Sequence, residues 1–152
     1  MTTVNQNILL PIDQAIDHAA QLLRQSEIEK AIAAFLDIEK RLPKSDHIKY
    51  CIGVCYKVAG QLDLSEPYFK QVIAINPKHV LAYFCLGEIY SKRSNPQKSL
   101  QFYQKVLELS PNDLGAMNNM AAIYNEIGEN QESINIQERI IAIGGQCGQG
   151  LQ

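Results

Sequence analysis

A single interval governs this chain. Pro43, Pro77 and Pro111 stand 34 residues apart, and so do Tyr56, Tyr90 and Tyr124. Gly53 and Gly87 keep the same step, as do the ring series Phe35, Phe69 and Tyr103 and the small series Ala31, Ser65, Ser99 and Ser133. Several residue classes sharing one step mark a repeat architecture. In such a fold a unit too small to bury its own apolar face stacks against copies of itself.

Within each period the pattern reads helix, turn, helix. Tyr83, Leu86 and Tyr90 recur at helical spacing, "SKRSNP" interrupts them, and Leu100, Tyr103, Val106 and Leu107 resume the stripe. Asn95-Pro96 supplies a capping side chain and then the one ring tolerated in a first turn. Ser26 with Glu29 has the form of a capping box. Gly60 and Gly128 supply turns between helices, and Pro77 and Pro111 end theirs, because proline has no N–H and disfavours helix in the residue before it. The pattern predicts eight helices, at 11–25, 27–42, 46–59, 63–76, 80–93, 96–110, 114–127 and 130–143. Pro67 lies too deep for a helix beginning at Asp63, so that helix is expected to start late under a Ser65 cap or to have a distorted first turn.

The unit resembles the tetratricopeptide repeat. Tyr83, Leu86, Gly87, Tyr90, Tyr103 and Pro111 fall where that family places its aromatic, leucine, glycine, tyrosine, second aromatic and proline, with Ser99 in the alanine slot. The second unit keeps Ile52, Gly53, Tyr56, Phe69 and Pro77. The first puts His18, Ala19 and Leu22 in the leucine, glycine and tyrosine slots, and the fourth has Gln137 and Gly145 for its second ring and proline. A 35-residue RNA-reading helical repeat is the nearest alternative, but the interval and the proline slot favour the 34-residue family. The resemblance implies an all-α, right-handed α-solenoid of four helix pairs. Residues 1–11 form an N-terminal arm, the repeats span 12–45, 46–79, 80–113 and 114–145, and 146–152 form a flexible glycine-rich tail.

Little in the chain suggests chemistry. Fourteen basic against sixteen acidic side chains leave no basic stripe of the kind that displaces counterions from phosphate, so nucleic acid is not an expected partner. No apolar run approaches the ~18 residues of a membrane span, and "MTTVNQNILLPIDQ" lacks the basic start of a secretory signal. Cys51, Cys55, Cys85 and Cys147 read as free thiols of a reducing, cytoplasmic compartment. The first three could approach one another and take zinc, but no fourth ligand is near and cysteine also packs as a small hydrophobe. His18, His47 and His79 show no ligand spacing, and His18 reads as a satisfied core histidine. Phosphate loops and nucleophile elbows are missing too. The expectation is a non-enzyme with no cofactor and no bound metal.

In the family the first helix of each pair lines a concave groove. That placement implies an inner face formed by Ile16 and Ala20, then His47, Tyr50, Cys51 and Val54, then Leu81, Phe84, Cys85 and Glu88, then Asn118, Asn119 and Ala122. Ile16, Ala20, Cys51, Leu81 and Cys85 occupy the slots of the Lys/Arg/Asn clamp with which some members hold a C-terminal carboxylate, so that ligand is disfavoured. An apolar middle with Tyr50 and Phe84 as anchors, and an amide pair at one end, suits a peptide or helix of a partner protein. Such a chain would act as an adaptor, a scaffold or a chaperone-like module. Two other readings stay open: a docking or regulatory region of a larger enzyme, and a scaffold that self-assembles through its ends. Helix 130–143 carries Ile134, Ile136, Ile140, Ile141 and Ile143, more than one inner stripe needs, so its outer edge should be covered.

Overall fold

The computed structural model describes residues 10–147, and among them the chain forms eight helices and no strand. In order these are α1 (Ile12–Arg24), α2 (Ile28–Arg41), α3 (Asp46–Val58), α4 (Leu62–Ile75), α5 (Val80–Lys92), α6 (Pro96–Leu109), α7 (Leu114–Glu126) and α8 (Asn130–Cys147). The helices fall where the periodicity expects them, except that α8 continues through Gly144 and Gly145 into the stretch read as a tail. Most of the expected arm (1–9) and the last five residues (148–152) lie outside the described residues. The chain divides into two compact units, one ending at Tyr68 and one beginning at Phe69, with the boundary inside α4.

Each helix pair is joined by the same turn. Ser26, Gly60, Ser94 and Gly128, one period apart, all have positive φ, at 62, 75, 53 and 81°. The N–H of the residue after each reaches back five residues: Glu27 to Leu22, Gln61 to Tyr56, Asn95 to Tyr90 and Glu129 to Tyr124, at 2.8–2.9 Å. The left-handed residue itself donates three residues back, as in Ser94 to Ser91. This is the Schellman closure, which satisfies the last carbonyls of the first helix and turns the chain into the second. Ser26 therefore does not form the expected capping box: its backbone is left-handed, and Glu27 flanks α2 with no side-chain cap. Asn95 does cap α6 ahead of Pro96. Between pairs, Ser45, His79 and Asp113, again 34 apart, cap α3, α5 and α7 by accepting from Ile48, Ala82 and Ala116 N–H.

The small slot is a clamp. Ser65, Ser99 and Ser133 are buried, and each donates its hydroxyl to a carbonyl of the partner helix: Gly53 at 2.7 Å, Gly87 at 2.7 Å and Ala121 at 3.0 Å. Ser65 is thus not a cap. Helix α4 starts earlier, at Leu62, and carries Pro67 in its interior. Rings complete each pair: Tyr56 stacks on Tyr68 with centroids 5.8 Å apart, and Tyr90 on Phe102 at 5.4 Å, the same two slots one period on.

The first unit buries Ala19, Ala31, Phe35, Ile38, Ile48, Ile52 and Cys55. Each large side chain so buried stabilises by roughly 1.5–3 kcal/mol. Lys49 on α3 is 9% exposed and forms a 2.6 Å ion pair with Glu39 on α2, whose other oxygen accepts from Tyr68 at 3.2 Å. His18 is exposed instead of packed in the core, because the buried stripe of α1 runs through Ala19 with Ile12, Ala15, Ile16, Leu22 and Leu23 beside it. The second unit buries Tyr83, Tyr103, Val106, Leu107, Ala116, Met117, Met120 and Ile123. Of the five α8 isoleucines, Ile136, Ile140 and Ile143 pack on this core, while Ile134 and Ile141 stay 46% and 73% exposed.

Candidate functional site

In the second unit, α5 and α7 are the first helices of their pairs. Their capped starts fix which residues follow on each turn, and Leu81, Phe84 and Glu88 come in line along α5. Leu81 is 56% exposed, an uncommon state for a leucine in a helix that is otherwise so buried. Phe84 is half-buried. Its ring meets Tyr103 edge-on at 5.4 Å, and the Cβ position of Gly115 on α7 lies 3.1 Å from Phe84 Cε2. The glycine at 115 lets the ring lie against α7.

One turn further along, the face becomes polar. Glu88, Ser91 and Lys92 of α5, Tyr103 of α6, and Asn119, Ala122, Ile123 and Glu126 of α7 line a recess of about 200 Å³. Asn119 donates from Nδ2 to the Tyr103 hydroxyl at 2.9 Å, which orients the amide. Burial pushes the Tyr103 phenol well above its usual range, and the Glu88 and Cys85 charges add to the effect, while the Asn119 bond opposes it. The phenol therefore stays protonated. A second recess of about 230 Å³ shares Ser91, Ile123 and Glu126 and extends to Ser94, Pro96 and Ile127.

The structure keeps some expected groove residues on a surface and withdraws others. Leu81, Asn118 and Ala122 are exposed; Phe84, Glu88 and Asn119 are half-buried. Cys85 is 5% exposed and belongs to the core, which removes it from the lining. In the first unit His47 is exposed and Tyr50 and Val54 are half-buried, whereas Ile16, Ala20 and Cys51 pack on the core and serve the framework. Sequence reasoning missed Ser91, Lys92, Tyr103 and Glu126. Lys92 and Glu126 lie one helical turn beyond Glu88 and Ala122, so extending the inner stripe by four residues would have found them.

Burial holds the Cys51 and Cys55 thiols in their protonated form. Cys51 and Cys55 are raised from 9.0 to about 11, chiefly by burial, and Cys55 also by the neighbouring Cys51. Cys51 Sγ lies 3.8 Å from His47 Nε2. Among the described residues no three His, Cys, Asp or Glu side chains gather to hold a metal ion, and no helix is long and apolar enough to cross a membrane.

Three family profiles described as tetratricopeptide repeat match residues 47–79, 80–113 and 102–135. No curated protein matches the sequence. Among solved structures the chain is similar to a crystal structure of MamA, with a TM-score of 0.84 at 15% identity, covering 90% of this chain and 80% of that one. It is similar to MamA 41-end from Desulfovibrio magneticus RS-1 at 0.82 and 17%, over 92% and 78% of the two chains. It is also similar to the first TPR of Spaghetti (RPAP3) bound to the HSP90 peptide SRMEEVD, at 0.72 and 18%, over 80% and 98%. Likeness at such identities carries the fold alone. With eight helices built on a 34-residue turn and clamp, and repeat matches running together from residue 47 to 135, the chain belongs to the tetratricopeptide repeat family.

Proposed function

We propose that this protein is an interaction module that holds a peptide or helical segment of a partner protein on the inner faces of its first helices, with α5 and α7 as the principal surface. The observation that carries this reading is Leu81, a leucine 56% exposed on α5 beside half-buried Phe84. A large apolar side chain that the core leaves in water, one helical turn from an aromatic ring, is the composition of a binding hot spot. The RPAP3 structure shows that a similar fold can hold a peptide, but the peptide there, SRMEEVD, is acidic. Glu88 and Glu126 make the present face a poor match for that charge. Binding should be micromolar, because ordering a flexible segment offsets much of the contact energy.

The test is selection of binders from a displayed library of random dodecapeptides, followed by titration of Leu81→Asp with the winners. Leu81 lies outside the core, so the variant should keep its melting temperature while affinity falls by about tenfold or more, the scale of a lost hot-spot residue. Equal affinity for the variant would overturn the reading. Phe84→Ala is a poorer probe, since its ring also packs against Tyr103 and its loss would lower stability as well.

Self-association through α8 is the second reading, favoured by Ile134 and Ile141, which share one helix face seven residues apart and are exposed. Ile134→Lys/Ile141→Lys should abolish any concentration-dependent rise in solution mass. A wild type that stays monomeric at millimolar concentration would remove this reading.

A further inference from the structure

On α6, Val106 and Leu107 are buried in one cluster with Ala116, Met117, Met120 and Ile123 of α7. The second helix of one pair is thus covered by the first helix of the next. The first unit repeats the arrangement, with Phe35 and Ile38 of α2 packed among Ile48, Ile52 and Cys55 of α3. One period after Val106 and Leu107 stand Ile140 and Ile141 of α8. Leu107 is 7% exposed in its cluster, whereas Ile141 is 73% exposed, with no helix after α8 among the described residues. Ile134, Glu138, Ile141 and Gly145 are all exposed, and their spacing puts them on one helix face. A Cβ built on Gly145 meets nothing within 4 Å. This face continues the α6–α7 interface by one period, without its cover.

The sequence also says what kind of cover fits. Ile48, Ile52 and Cys55 on α3, and Ala116, Met120 and Ile123 on α7, are the positions where a first helix meets the second helix before it. At the same positions α1 carries Gln14, His18 and Gln21, all exposed. A copy stacked head to tail would lay that polar face on the isoleucines. A copy paired through α8 would lie about a two-fold axis, with Ile134 opposite Ile141 and the two Glu138 carboxylates brought together at the centre. Like charges so placed oppose the contact. Neither arrangement of a second copy suits the face.

We propose that α8 docks an amphipathic helix of a partner protein in the place that α7 takes on α6. That helix presents apolar residues at i, i+4 and i+7, the first of them small, as Ala116, Met120 and Ile123 are spaced on α7. It sets a lysine or arginine against Glu138. The surface is separate from that of Leu81 and Phe84.

The experiment is selection from a displayed library of alanine-framed helical peptides, about five turns long. Winners should carry the apolar stripe with a lysine or arginine beside it. They should bind the wild type and Leu81→Asp equally. Ile134→Lys/Ile141→Lys should bind them at least about tenfold more weakly, the scale of a lost anchor, with its melting temperature unchanged because both side chains lie outside the core. Glu138→Lys should turn the selection toward aspartate and glutamate at the basic position. Winners that bind Ile134→Lys/Ile141→Lys as tightly as the wild type, or a selection that enriches nothing, would overturn the proposal. Binding lost in Leu81→Asp would put the helix on α5 and overturn it too. A wild type whose solution mass doubles with concentration, and does not in Ile134→Lys/Ile141→Lys, would give the face to a second copy instead.

Discussion

Tyr103 does two jobs at the scale of one residue. Its hydroxyl reaches the recess, and its ring fills the space that a side chain on Gly87 would need: a Cβ there would lie 2.8 Å from Tyr103 Cε1. The ring cannot easily yield, because Phe84 meets it edge-on and Asn119 holds its oxygen. Gly87→Ala should therefore cost about 1–3 kcal/mol by overpacking, even though alanine alone favours a helix by about 1 kcal/mol. Urea unfolding measures this; an alanine variant as stable as the wild type would mean the ring has room. The neighbouring clamp is smaller. Ser99→Ala should cost about 0.5–1.5 kcal/mol, the net worth of its buried bond to the Gly87 carbonyl.

Among the helical elements, the four turns impose one backbone geometry on two kinds of residue. Gly60 and Gly128 adopt positive φ without a Cβ penalty, whereas Ser26 and Ser94 hold it against the steric preference of an L-residue. Nothing lies within 4 Å of a Cβ built on Gly60, so any penalty there is conformational alone. Gly60→Ala should destabilise by about 1 kcal/mol, and Ser94→Gly should stabilise by up to about 1 kcal/mol once the entropy of glycine is deducted. Thermal melts of the two variants should move in opposite directions. A Ser94→Gly that melts lower would mean the serine side chain contributes more to the turn than its φ costs.

For the whole molecule, the ionisable core sets an alkaline limit. Cys51 and Cys55 are raised to about 11 and Tyr68 to about 12, all chiefly by burial, with Glu39 adding to the tyrosine. Tyr103 moves the same way. Raised acidic groups keep their protons in the folded state after the unfolded chain has released them. Their stability is complete below the unfolded values near 9 and 10, and it is lost as pH climbs through 9 to 12. Each such proton contributes a slope of up to about 1.4 kcal/mol per pH unit. Urea midpoints should fall across that window. Cys51→Ala/Cys55→Ala, compared with its own value at pH 8, should fall less steeply between 9 and 11. An equal slope would assign the alkaline loss to other groups.

The 34-residue step, the helix pairing and the burial of Phe35, Phe69 and Tyr103 were legible in the residues, because each follows from local spacing and side-chain size. The turn was half legible: glycine at 60 and 128 marks positive φ, but Ser26 and Ser94 in the same position do not, and Ser26 looked like a cap. The serine series at 65, 99 and 133 showed in the sequence only as small residues. Its hydroxyl bonds needed the partner helix twelve residues away in the chain. The candidate site divides the same way. Helical spacing could put Leu81, Cys85 and Glu88 on one side of α5, but not tell which of them meets water. Only packing decided that Cys85 is enclosed and Leu81 is open, and that Tyr103 from α6 reaches a recess between α5 and α7. Periodicity fixes the direction a side chain takes from its own helix, whereas exposure depends on the size and position of groups on the helices it meets.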